Sequence, residues 1–335
     1  MLSNMRTSFD PSHAASRRGF LAGALAAAVP GIVQAQSGTS RILVGFAAGG
    51  GGDLVARLLA ERLPRHLGAA GQNVLVDNRP GGAGKIAVDA LRNAPPDGNT
   101  LLLAPLVTPV LSQLVFRNPG YDPARDFAPV GVVGHFQFGL AVPASHPARD
   151  VPSFIAWLKA NPAKAYFGSP SPGSLPHFFG LLLGEAAGVD YTHVSYRGGA
   201  PMLNDLAAGQ ITSGIDTVQK LLELHRSGRI RVLGVFAPRR VPQLPDVPTL
   251  AEQGYPKATG SGWYSLWAVA GTPVARQREW NAALNATLRE PAVQKKFDEW
   301  ALEPAPGTPE QLEALRRSDI EKWRLVIAAS GFKAD

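Results

Sequence analysis

Residues 42–63 read ILVGFAAGGGGDLVARLLAERL. The apolar run Ile42, Leu43, Val44 has the length and character of a buried strand. Four glycines follow at positions 49–52, and apolar residues then recur at Leu54, Val55, Leu58, Leu59 and Leu63 with a helical period. The stretch is a strand, a tight bend and an amphipathic helix. Glycine admits positive φ and leaves main-chain amides uncovered. A helix beginning near Asp53 aims its unpaired N–H groups, and the positive end of its dipole, at the same place. A carboxylate or phosphate is the natural guest of such a corner. The nucleotide fingerprints do not fit: no Lys-Ser/Thr follows the glycines, and the spacing misses G-x-G-x-x-G. On these residues alone, an anion site and a turn that merely packs a helix onto a sheet both stand.

Downstream, 74–76 reads as a second strand leading into the loop Asp77-Asn78-Arg79-Pro80-Gly81-Gly82-Ala83-Gly84, a helix over 86–91, a turn at 96–100 and a third strand at 101–104. The β-α-β-α-β rhythm predicts a parallel sheet covered by helices. Ligands of such sheets lie beyond the carboxyl ends of the strands. The glycines at 49–52 and the stretch 105–108 both fall at such ends.

Upstream, Arg17-Arg18 precedes an apolar, Ala-rich stretch from Leu21 to Val33 that ends in the small-residue site Val33-Gln34-Ala35. This order reads as a twin-arginine export signal over 1–35, cut near Ala35. The run is too short and too interrupted by Gly and Pro to cross roughly 30 Å of hydrocarbon. The chain beyond Ala35 is long enough for two domains. Cysteine is absent, so an exported chain relies on its cores and not on disulfides. The formal net charge of +7 falls by two without the leader, and Lys and Arg form no stripe with aromatics. Nucleic acid is not an expected partner.

The second half repeats the first theme. Residues 127–142 are strand-like with glycine breaks, suiting a crossover. Val151–Ala160 reads as a helix stopped by Asn161-Pro162, and Tyr166–Ser169 as a strand running into a polar loop. Ser169 and Ser174 beside glycines are ordinary turn chemistry, and a lone His177 near a helix start is more often packing than ligand. Val194-Ser195-Tyr196-Arg197-Gly198-Gly199-Ala200-Pro201 gives another strand, glycines and a helix over 202–208 with Pro201 in its first turn. Strands at 211–215 and 229–235, a return crossover at 260–270 and helices at 276–289, 292–300 and 309–328 complete the chain. The latter helices are expected to pack on the first domain. Asp216 and Asp53 would repel a bound anion unless they accept hydrogen bonds or meet an ammonium group; Asp53 reads best as a helix cap.

Taken in order, Phe46-Ala47-Ala48-Gly49-Gly50, Asp53, Ala56-Arg57, Asp77-Asn78-Arg79-Pro80-Gly81, Ala94-Pro95-Pro96-Asp97-Gly98, Tyr121-Asp122-Pro123, Tyr166-Phe167-Gly168-Ser169, Gly173-Ser174, His177, residues 194–201, Leu244-Pro245-Asp246-Val247-Pro248-Thr249 and Ala270-Gly271-Thr272-Pro273 resemble the Bug receptors. These are the periplasmic solute-binding proteins of tripartite tricarboxylate transporters. The resemblance spans essentially the whole chain after the leader. It implies an α/β, two-lobed periplasmic-binding-protein fold of the Venus-flytrap, type II-like kind, with two crossover segments. Domain 1 would comprise 38–137 and 260–335, and domain 2 138–259. It also implies a ligand site built from Phe46, Ala47, Gly50, Gly51, Asp53, Thr108, Ser169, Ser174, Arg197, Gly198, Gly199 and Asp216. Asp216 matches the family's F-D-N position, although Thr217 stands where Asn is usual.

The function so implied is capture of a small carboxylate or amino-acid ligand in an interdomain cleft and delivery to the permease subunits, by a periplasmic monomer without cofactor or metal. Pro105 and Leu106 replace a hydroxyl-bearing pair common in the family, which suggests a less polar pocket, suited to an aromatic or partly apolar carboxylate. An exported α/β enzyme acting on a carboxylate and a sensor-type binding protein are the alternatives. No catalytic constellation supports the enzyme: Ser169 and Ser174 are outside G-x-S-x-G, there is no Cys nucleophile, and the seven His lack ligand spacing.

Overall fold

Alternation along β1, Ser40–Val44, sends Ile42 and Val44 to one face of a sheet and Leu43 to the other, and each face meets a different helical layer. The computed structural model describes residues 39–68 and 73–334; the export signal read over 1–35 lies outside them. In the first half, α1 (Gly51–Arg62), β2 (Val74–Asn78), α2 (Lys85–Arg92) and β3 (Thr100–Pro105) follow β1. A helical stretch, Val107–Leu111, runs into α3 (Ser112–Val115), then come α4 (Pro123–Asp126) and β4 (Phe127–Phe136).

A single residue, Gln137, separates β4 from β5 (Phe138–Pro143), where the chain enters a second sheet. Next are α5 (Val151–Ala160), β6 (Tyr166–Ser169), α6 (Leu175–Ala187), β7 (Thr192–Ser195), α7 (Gly199–Ala207), β8 (Ser213–Thr217), α8 (Val218–Arg226) and β9 (Ile230–Val235). The chain returns through β10 (Gly262–Val269) and finishes with α9 (Val274–Leu288), α10 (Pro291–Glu299), β11 (Leu302–Pro304) and α11 (Pro309–Ser330).

The first sheet has the order β11-β4-β10-β3-β1-β2 and the second β7-β6-β8-β5-β9. β1 runs parallel to β2 and β3, and β6 parallel to β7 and β8, as the β-α-β rhythm requires. The returning β10 inserts antiparallel between β3 and β4, so the expected crossover is also a central strand. The two crossings are laced together. Phe236 N–H donates to Phe138 O at 2.9 Å, Gly260 N–H to Phe236 O at 2.7 Å, and Val218 N–H to Gln137 O at 2.8 Å.

α1, α9 and α10 cover one face of the first sheet around Trp280, and α7 and α8 cover one face of the second around Met202 and Leu206. The remaining faces share one apolar cluster, in which α11 packs on β4 of the first lobe, as expected, and also reaches α6 of the second. Its Trp323 ring lies 5.3 Å from Phe179 of α6 and 6.3 Å from Phe178. Beyond α11, Phe332 packs edge-on against His177 at 5.2 Å, and Ala334 N–H donates to Val115 O at 2.9 Å.

Candidate functional site

The carboxyl ends of β1, β2 and β3 face those of β6, β7 and β8. Five helices, α1, α2, α6, α7 and α8, begin there, and none has a side-chain N-cap. Gly50, Gly84 and Gly198 occupy three of the cap positions. Elsewhere α5 and α11 carry capping boxes on Asp150 and Thr308, while α9 and α10 start at Pro273 and Glu290 without a side-chain cap, so it is the convergence of uncapped starts on one place that distinguishes the cleft. Uncapped amides at a cleft are donors left for something else.

The glycine-rich turn is shaped by its own residues. Residues 47–50 are exposed, Gly49 has φ of 80°, and Gly50 N–H donates to Ala47 O at 3.3 Å. Helix α1 starts at Gly51, so Asp53 is its third residue and not its cap, a correction to the sequence reading. The Asp53 carboxylate turns back to accept the Gly49 amide at 2.9 Å and pairs with Arg57 at 2.9 Å. Burial pushes its pKa up, but the hydrogen bonds from Arg57, Gly49 and Asn78 outweigh that and hold it below the usual carboxylate range. Asp53 thus braces the loop and takes one amide out of play. Asn78 fastens the same loop by donating to Phe46 O at 3.3 Å.

Gly84 and Gly45 allow the neighbouring turns to approach: a side chain on Gly45 would lie 2.6 Å from Gly84 Cα. One on Gly84, where φ is 97°, would lie 2.9 Å from Thr108 Oγ1 and against the Phe46 ring. Thr108 is buried, and its carbonyl accepts the Tyr121 hydroxyl at 2.9 Å. Phe46, Gly84 and Thr108 therefore meet at one wall of the cleft.

On the facing lobe, Ser169 is fully buried. Its hydroxyl lies within hydrogen-bond reach of Ser171 O at 3.1 Å and of His193 Nε2 at 2.7 Å, the direction of the second bond being set by the imidazole tautomer. Burial lowers the His177 pKa to about 4; burial, with the charge of its stacked neighbour His177 4.0 Å away, lowers that of His193 to about 4. His177 Nδ1 accepts the Gly173 amide at 3.1 Å, and Ser174 Oγ donates to Ser171 O at 2.7 Å. Ser169, Ser174, His177 and His193 hold the 169–174 loop in shape through its own hydrogen bonds.

Arg197 is exposed and makes no ion pair among the described residues. Gly198 N–H donates to Pro170 O at 2.8 Å, tying the two loops of this lobe. Asp216 occupies the space that a Gly199 side chain would fill, which makes glycine necessary there. Its carboxylate accepts Thr217 N–H at 2.7 Å and lies 3.5 Å from Lys220 Nζ. Burial raises its pKa despite Lys220 and Thr217.

Two residues absent from the sequence reading enter here. A side chain on Gly51 would meet the Tyr264 hydroxyl at 2.8 Å and Gln219 Oε1 at 3.7 Å. Gln219 belongs to α8 of the second lobe, so the amino ends of α1 and α8 converge, with Tyr264 of β10 beside them. Burial raises the Tyr264 pKa to about 12, so its hydroxyl stays a donor. The Thr217 hydroxyl, at the start of α8, is buried without a partner among the described residues. The described residues contain no group of three or more His, Cys, Asp or Glu placed to hold a metal ion, and no helix among them is long and apolar enough to cross a membrane.

Residues 55–332 match the model of the tripartite tricarboxylate transporter family receptor. Protein BugT of Bordetella pertussis is 31% identical over 88% of this chain and 89% of its own. Among solved structures, R. palustris Rpa4515 with adipate is 34% identical, with a TM-score of 0.78, over 88% of this chain and 98% of the other. MatC from Rhodopseudomonas palustris with bound malate is 28% identical, with a TM-score of 0.74, over 86% and 98%. These likenesses run through both lobes and the cleft between them, and the chain belongs to the periplasmic solute-binding receptors of the tripartite tricarboxylate transporter family.

Proposed function

We propose that this receptor closes on a small carboxylate held between main-chain amides of its two lobes, and passes it to the permease subunits of a tripartite transporter. The observation that carries the reading is the set of five helices that start at the cleft without side-chain caps, three of them on glycine. The first-lobe contacts are assigned to residues 46–51 and Thr108. Those of the second lobe are assigned to the loops ending at Ser174 and at Gly199, with Arg197 at the rim and Asp216 beneath. Ser169 and Asp53 act through the loops they brace. Adipate and malate in the two related structures agree in ligand class.

Residues 38–137 with 260–335, and 138–259, are the units that move as lobes, with the laced crossings at Gln137 and Phe236 between them. Only a ligand that touches both lobes shifts the open-closed equilibrium. The receptor works as a monomer, exported by the twin-arginine route and cut near Ala35. The Gly50 backbone has φ of −76°, which valine can adopt, and its Cβ would lie 3.3 Å from Ala47 O, so the exposed 47–50 turn must yield by a few tenths of an ångström while the valine branches cover the loop amides. Gly50→Val should abolish ligand-induced thermal stabilisation and calorimetric binding, and leave the ligand-free protein folded with at most a small drop in melting temperature. Undiminished binding by this variant would refute the site.

A further inference from the structure

A cavity of about 230 Å³ opens beside Phe46, where the glycine-rich loop of the first lobe faces the 169–174 loop of the second. Its apolar wall is Phe46, Val107, Leu111, Val115, Phe116 and Pro172, and no charged residue among the described ones lines it. Two of its serine hydroxyls are already spent: Ser112 Oγ donates to Val107 O at 3.0 Å and Ser174 Oγ to Ser171 O at 2.7 Å. Ala334, held through its amide to Val115 O, also lines it.

We infer that the ligand of this receptor is a carboxylate with an apolar body, an aromatic ring or a short hydrocarbon chain, and that the body fills this cavity while the carboxylate lies on the adjoining loop amides. The inference rests on the receptor reading and narrows its ligand class. Size agrees, since an apolar cavity of about 150 Å³ already holds a benzene ring. Chemistry agrees as well. A second carboxylate placed here would lose its water and meet neither a cation nor a free cluster of donors. A ring or alkyl chain loses nothing by leaving water.

The test is calorimetric titration of the mature protein with phenylacetate, hexanoate, malate and citrate. Phenylacetate or hexanoate should bind at least tenfold more tightly than malate and citrate, with a more negative heat-capacity change. Val107→Trp, at a half-buried position in the wall, should erase that preference, and Phe46→Ser should reduce it if the tryptophan variant does not fold. Malate or citrate binding as tightly as the apolar acids, or a preference unchanged in Val107→Trp and Phe46→Ser, overturns the inference while the receptor reading stands. Binding of none of the four, nor of any other small carboxylate, overturns both.

Discussion

Tyr264 and Gly51 come from elements more than two hundred residues apart, yet a single methyl on Gly51 would stand 2.8 Å from the Tyr264 hydroxyl. β10, inserted between β3 and β4, carries that hydroxyl to the amino end of α1, and Gln219 of the other lobe reaches the same point. Tyr264→Phe keeps the ring packed on Phe136, 4.8 Å away, and removes only the donor. Ligand affinity should fall roughly five- to tenfold, the worth of one hydrogen bond. Gly51→Ala should weaken binding more in the wild-type background than in Tyr264→Phe, where the obstruction is gone. Additive losses in calorimetry would show that the two positions do not share a site.

Asp216 gives a pH-dependent prediction. Its pKa is raised in the folded chain by burial, so the folded state binds its proton more readily than the unfolded state. Its ionisation therefore costs stability progressively as pH rises above the unfolded carboxylate value of about 4 and through the raised folded value. Asp216→Asn should melt higher than wild type at pH 7, and the difference should shrink toward pH 3. Removal of the negative charge should also tighten binding of a simple carboxylate. Equal melting temperatures across that range would contradict the assignment.

The stacked imidazoles of His177 and His193 act with the opposite sign. Both pKa values are lowered to about 4, so the neutral rings contribute stability that is complete above the unfolded value near 6.5 and is lost as pH falls toward 4. Thermal melts should show a decline across that window. His193→Gln, which retains a donor toward Ser169, should flatten it. Ser169→Ala leaves His193 Nε2 without its hydroxyl partner and should cost about 1–3 kcal/mol at neutral pH, read by urea denaturation.

A β-carbon on Gly180 of α6 would run into the buried Phe167 ring of β6. This close approach seats α6 on the second sheet and so places the 169–174 loop. Gly180→Ala should destabilise by about 1–3 kcal/mol, and Phe167→Leu in the same chain should recover part of that loss. Full stability of Gly180→Ala would mean that α6 has room to shift.

The parallel strands and the glycine corners were legible because period and punctuation are local. β1, β3 and β6 fall within a residue or two of their sequence bounds, and the α5 bounds agree. α8 went unread: it has nine residues, its buried set is only Val218, Leu221 and Leu222, and it follows Thr217 without a glycine or a capping side chain. Gln219 was lost with it. Tyr264 was invisible for a different reason, because its position depends on antiparallel pairing with strands 120 or more residues earlier. The contact of the Ser169 hydroxyl with His193 depended likewise on tertiary structure, since parallel pairing of β6 and β7 brings the two together. A short Val-x-x-Leu-Leu spacing after 217 was the one signal that could have recovered α8.

With Gln137 alone between β4 and β5, and the return path stitched to it through Phe138 and Phe236, rotation has one axle. Spectroscopic labels at Ala83 and Ser171, which face one cavity from the two lobes, should register capture, and a pair beside Gln137 should stay almost silent.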